Sequence, residues 1–317
     1  MKWKPGKANP RLDDRRGQKG GGGGGIQFPG GGGGGLPIPS GGGGKMGIGT
    51  ILIVVVLFFV LRACGGGGGE GGGSGFDIPG LPGDQAQVPT SQDPNAQAPA
   101  PSEGEATDQG AQFVNFVLTD LETFWGGQFK TSGKQLQPAG LVLFSDAVQS
   151  GCGQASSATG PFYCPLDQKA YVDLTFFNEL DKRFKAPGDF AQAYVLAHEY
   201  GHHIQQQLGI EEKVRAESQN NPDDANELSV RLELQADCFA GLWGRSVYQA
   251  DVLEDGDLEE GITAAEAVGD DRIQEQTQGR IDPESFTHGT SEQRRTWFRT
   301  GFDSGEIQQC DTFSGDV

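Results

Sequence analysis

The segment Ala197-His198-Glu199-Tyr200-Gly201-His202-His203 sets two imidazoles four positions apart, with a carboxylate directly after the first. On a helix, residues four apart point from one face, one turn above the other, so His198 and His202 can converge on a single ion. Glu199 is angled away from that ion but within reach of water beside it. Zinc held in this way lowers the pKa of water in its open coordination position to roughly 7, and a neighbouring carboxylate can take the proton as attack begins. The bare H-E-x-x-H pattern arises by chance in about one chain in a hundred of this length. It gains weight because three of the four histidines fall within six residues, a cluster that core packing does not call for.

Such a site needs a third ligand, and Arg231-Leu232-Glu233-Leu234-Gln235-Ala236-Asp237 offers one. Two acids four apart on one helix face repel each other unless a positive charge lies beside them. A metal ligand at Glu233, with a carboxylate at Asp237 orienting His198, resolves that repulsion. His203 is turned about 100° from His202 on an ideal helix, which suits packing or a supporting hydrogen bond rather than ligation. His288, in Phe286-Thr287-His288-Gly289-Thr290, precedes a capping-box signature from Thr290 to Gln293. A histidine there would serve either to stabilise the oxyanion of a tetrahedral intermediate or as a structural residue.

Helices must position these groups. Phe190, Ala193, Tyr194, Ala197, Gly201, Ile204 and Leu208 form an apolar stripe, with Pro187-Gly188-Asp189 as a start and Gly209 as a stop. Leu228, Leu232, Ala236, Phe239, Ala240, Trp243 and Val247 describe a second such helix. An earlier one is expected over Gln109–Trp125, with Asp108 as N-cap. Leu141–Phe144 and Tyr171–Leu174 read as strands. The domain, residues 108–317, is thus expected to be α+β, mainly helical, with a small sheet.

What precedes it differs in kind. Much of the glycine, 53 residues in all, lies before residue 76, and segments so poor in apolar side chains cannot offset the entropy of ordering them. Residues 1–45 are expected to be a disordered basic arm and 64–107 a disordered Gly/Pro-rich linker. Between them Met46–Leu61 carries no charge, and Arg62 can snorkel, so a transmembrane helix is expected over 46–63. Eight Lys/Arg precede it, which places the N-terminus in the cytoplasm and the domain outside the cell membrane. Residues 1–45 hold eight Lys/Arg and two Asp, so of the net charge of -19 the remainder carries -25, and so acidic a body argues against nucleic acid as a partner. Cys152, Cys164, Cys238 and Cys310 lie outside any C-x-x-C pattern and suit disulfides in an oxidising compartment. Three connectivities are open; pairing 152 with 164 would close a small loop, leaving 238 and 310 to tie the final segment to a central helix.

The sequence resembles the neutral zinc metallopeptidases of bacteria. HEYGHHIQ at 198–205, RLELQADCFAGLW at 231–243, SGCGQASSATGPFYCPLDQKAYVDLTFF at 150–177 and FTHGTSEQRRTWFRTG at 286–301 carry the likeness, as does the opening MKWKPGKANPRLDDRRG. The resemblance implies a gluzincin-like, zincin-type domain in which His198, His202 and Glu233 bind zinc. The expected activity is hydrolysis of a peptide or protein substrate by zinc-activated water with Glu199 as base. The contrasting expectation is a membrane-tethered surface or scaffold protein whose metal is structural and closed by four ligands.

Overall fold

The computed structural model describes residues 1–17 and 108–317. Residues 18–107, and with them the expected transmembrane helix at 46–63, the linker at 64–107 and most of the basic arm, lie outside the described residues. Among those described, no helix is long and apolar enough to cross a membrane.

The domain is mainly helical α+β, as its patterns predict. Helix α1 (Gln109–Thr131) opens on Asp108, whose carboxylate accepts the Ala111 amide at 2.8 Å. It runs beyond the expected end at Trp125 because Gly126 and Gly127 do not stop it; Phe129, one turn further, is buried. A four-stranded sheet follows in the order β1 (Leu12–Asp14), β2 (Gly140–Phe144), β6 (Lys169–Asp173), β5 (Phe162–Cys164). Leu141–Phe144 are all buried, which is why an unbroken apolar run sits at the sheet's centre rather than alternating. β2 pairs parallel with β6 in the register Val142↔Tyr171, and β5 closes the far edge antiparallel. A separate hairpin, β3 (Ala147–Ser150) with β4 (Gly153–Ser156), is stapled to β5 by the disulfide Cys152–Cys164.

The first seventeen residues correct the expectation of a disordered arm over 1–45. β1 pairs parallel with β2, Leu141 N–H donating to Arg11 O at 2.9 Å and Arg15 N–H to Leu143 O at 2.8 Å. Buried Asn9 receives a hydrogen bond acceptor from α1, its amide donating to Asn115 Oδ1 at 2.7 Å, while Asn115 Nδ2 donates to Lys7 O. Trp3 packs edge-on against Phe113 at 5.4 Å. Order here comes from partners remote in sequence, which the local composition does not reveal.

The remaining helices are α2 (Thr175–Lys182), α3 (Asp189–Leu208), α4 (Ile210–Asn220), α5 (Ala225–Gln249), α6 (Asp257–Ala267), α7 (Asp270–Gln278) and α8 (Ser291–Ser304). α3 is buried along most of its length, against α1, α5, α6 and the sheet. It meets α5 where Gly201 faces Ala236, so closely that a Cβ on Gly201 would sit 3.1 Å from the Ala236 backbone. α5 and α8 approach closer still. A Cβ on Gly301 would overlap Cys238 O, and one on Gly241 would overlap Phe298 O, so both must be glycine. The disulfide Cys238–Cys310 ties the segment after α8 to α5.

Candidate metal centre

Helix α3 starts and stops where its sequence predicts: Gly188 precedes it at φ 114°, and Gly209 ends it in the left-handed conformation at φ 72°. Over this span His198 and His202 leave one face, their rings 4.8 Å apart and nearly perpendicular. Glu233 reaches them from α5. His198 Nε2 lies 3.1 Å from Glu233 Oε2, and His202 Nε2 lies 3.5 Å from Glu233 Oε1. One ligand atom from each of the three residues falls within 4.8 Å of the others. Donors bonded to a tetrahedral zinc ion at about 2.0–2.1 Å stand about 3.3 Å apart, so the observed spacings fit.

The other ring nitrogens are already engaged. His198 Nδ1 is 2.9 Å from Asp237 Oδ1, as expected, and His202 Nδ1 is 2.9 Å from Gln205 Oε1. Both partners are acceptors, so Nδ1 carries the proton in the neutral ring of each histidine, which leaves Nε2 as the atom a metal would take. Charge agrees with geometry. Three carboxylates, Glu199, Glu233 and Asp237, gather near one buried guanidinium, Arg294, so that with neutral imidazoles the cluster carries a surplus of negative charge that suits a cation. Burial disfavours the carboxylate of Glu233, but His202, His288 and His198 outweigh it and hold the group well below the usual range. Burial likewise opposes the imidazolium of His198, yet Asp237 and Glu233 raise its pKa to about 9.

The Glu199 carboxylate is buried beside this cluster. Burial raises its pKa, with His202 and His198 pulling the other way, so its carboxylate is a stronger base than an exposed one. His288 stands in a turn between α7 and α8. Its Nδ1 lies 3.2 Å from Asp270 Oδ1, and its amide donates to Asp270 Oδ2 at 2.6 Å. Burial lowers its pKa, but Glu233 and then Asp270 overcome that and raise it, so the imidazole is held toward its charged form on the metal-site side of the molecule. The predicted capping box is present: Thr290 Oγ1 accepts from Gln293 N–H, and Gln293 Oε1 accepts from Thr290 N–H.

His203 does not join the site. Its Nε2 donates to Gln137 O at 2.6 Å, its Nδ1 meets the Tyr163 hydroxyl at 2.9 Å, and burial lowers its pKa to about 4. A second acidic group, Asp189, Asp257 and Glu260, is also close enough to hold a cation, but the Met1 amino group already lies against Asp189 and Asp257.

Sequence reasoning missed Arg294, Asp270, Gln205 and Tyr194. Arg294 had a signal: it shares its helix face with Phe298, Gly301 and Phe302, and a charge on an apolar stripe calls for a buried partner. Gln205 had none beyond following His202 by three positions.

A family model described as "Putative neutral zinc metallopeptidase" matches residues 1–313. The chain is 46% identical over 321 residues to the uncharacterized protein YpfJ of Escherichia coli (strain K12), covering 100% of both chains. It is 46% identical over 185 residues to the uncharacterized protein Rv2575 of Mycobacterium tuberculosis (strain ATCC 25618 / H37Rv), covering 55% of this chain and 62% of that one. No solved structure matches. With a family match that spans nearly its whole length, and three side chains close enough to hold one ion, the chain belongs to the neutral zinc metallopeptidase family.

Proposed function

We propose that the protein hydrolyses peptide bonds, with zinc held by His198, His202 and Glu233. The supporting observation is that ligand atoms of His198, His202 and Glu233 lie within 4.8 Å of one another, with Glu199 buried alongside. When bound there, zinc would supply Lewis-acid activation of water and of the substrate carbonyl. Glu199 takes the proton from the attacking water and passes it to the leaving amine, a role that its raised pKa favours. His288, kept charged by Asp270 and Glu233, donates a hydrogen bond to the oxyanion that develops on the carbonyl. Asp237 and Gln205 hold the two imidazoles in the tautomer that presents Nε2.

The substrate class is a peptide or protein. The two disulfides support an oxidising, extracytoplasmic setting for the domain. Glu199→Gln tests the reading: zinc affinity should stay near that of the parent, while hydrolysis of a peptide library should fall by about 10²–10⁴. Undiminished hydrolysis by that variant would remove Glu199 from the reaction.

A further inference from the structure

We propose that the C-terminal element, α8 together with the segment at Cys310, is the frame that aims both metal-binding imidazoles, with Arg294 on α8 and Gln235 on α5, the latter anchored by Cys310 O, as the positioning residues. This rests on the zinc reading of the site, not on the peptidase reading.

Two separate hydrogen-bond chains lead from this element to the ligands. In the first, Arg294 grips Asp237 with a two-pronged contact, Nε to Oδ2 at 2.8 Å and Nη2 to Oδ1 at 2.9 Å. Tyr194 OH also donates to Oδ1 at 2.5 Å, and the same oxygen meets His198 Nδ1 at 2.9 Å. Arg294 and Asp237 are buried, so nothing but these donors fixes where the carboxylate points. In the second, Gln235 Nε2 donates to Cys310 O at 2.9 Å. Gln205 Nε2 donates to Gln235 Oε1 at 3.2 Å and to Leu232 O at 2.7 Å. That leaves Gln205 Oε1 facing His202 Nδ1. The amide orientations follow one from the next: Cys310 O can only accept, so Gln235 must present its oxygen to Gln205, which must present its own to His202. The Cys238–Cys310 disulfide and the glycine contacts between α5 and α8 clamp the frame onto the helix that carries Glu233.

Partners of this kind are worth roughly 10–100-fold in metal affinity. The test is zinc affinity of the full chain, measured by competition with a chromogenic chelator, together with the visible spectrum of the cobalt-loaded protein, which reports ligand geometry. Arg294→Lys keeps the charge but loses the fork, and Gln235→Leu breaks the second chain. Both should bind zinc about 10–100-fold more weakly and shift the cobalt bands. Arg299→Lys, on the exposed side of the same helix, should do neither. Parent-like affinity in either folded variant overturns the proposal; should Arg294→Lys fail to fold, Gln235→Leu alone decides. Because binding is measured directly, a protein with no peptidase activity would leave the result intact.

A different observation carries a second inference. Through the β1–β2 ladder and the Asn9–Asn115 contact, residues 1–17 are built into the domain. We infer that these residues and residues 108–317 lie on the same side of any membrane the chain meets, since a single crossing between them would part Leu12 from its ladder partner Leu141. Lys4 and Leu166 are both exposed. With Cys64, the fifth cysteine of the sequence and not one of the four paired in the two disulfides, replaced in a Cys64→Ser background, Lys4→Cys and Leu166→Cys should react alike with a membrane-impermeant thiol reagent, in intact cells and after lysis. Labelling of one in intact cells and of the other only after lysis would overturn the inference.

Discussion

The metal face of α3 and the N-terminal segment 1–17 are held in place by opposite means. His198 and His202 are set relative to each other by one helix, whose own hydrogen bonds fix a four-residue spacing before any tertiary contact forms. β1 has three residues and no ladder of its own; its backbone is paired only because β2 lies beside it, and Asn9 is satisfied only because α1 offers Asn115. The first region is geometry carried by the local chain, and the second is geometry borrowed from distant partners. Loss of a side chain should therefore change function in the first and stability in the second.

The largest expected effect is on the metal face. Glu233→Ala removes one of the three proposed ligands and should weaken zinc binding by about 10³ or more, measured by chelator competition, while the apo fold persists. Next comes the borrowed region. Asn115→Ala strands the Asn9 amide and Lys7 carbonyl and should cost about 1–3 kcal/mol in urea denaturation. Zinc affinity should not move; if it did, the two regions would not be independent.

Proton linkage gives a third, graded test, read as metal-free stability against pH. The His198 pKa is raised to about 9, so its contribution is fully present below about pH 6.5 and is lost as pH rises through about 9. Zinc affinity should rise over that interval, because binding displaces the proton. His203, buried neutral with a pKa of about 4, contributes the other way: its stabilisation is present above about pH 6.5 and is lost as pH falls toward about 4. The smallest effect belongs to Arg16, which bridges Asp14 and Asp108 at the surface; Arg16→Ala should change stability by no more than about 1 kcal/mol.

The same contrast explains how much could be read from the sequence. The α3 stripe, the Asp108 cap, the Gly209 stop and the Thr290–Gln293 capping box depend on neighbours within a turn or two, and each stands where its pattern predicts. His198, His202, Glu233 and Asp237 come together because two helix faces, each periodic, meet at Gly201 and Ala236. The order of residues 1–17 was illegible because Leu12-Asp13-Asp14 has no alternation and its basic neighbours look like a solvated arm. α1 outruns Gly126-Gly127 because Phe129 is buried on the core, a tertiary gain that outweighs the local cost of two glycines. Gln205 and Gln235 escaped notice because a glutamine's role is set by what faces it, and both face other segments.

Zinc K-edge X-ray absorption on the metal-loaded full chain tests the central claim most directly. The account predicts one zinc per chain with two imidazole nitrogens and carboxylate oxygen at about 2.0–2.1 Å, plus an exchangeable light atom that chloride or azide displaces. Sulfur scattering, or four protein ligands with no exchangeable position, would contradict it.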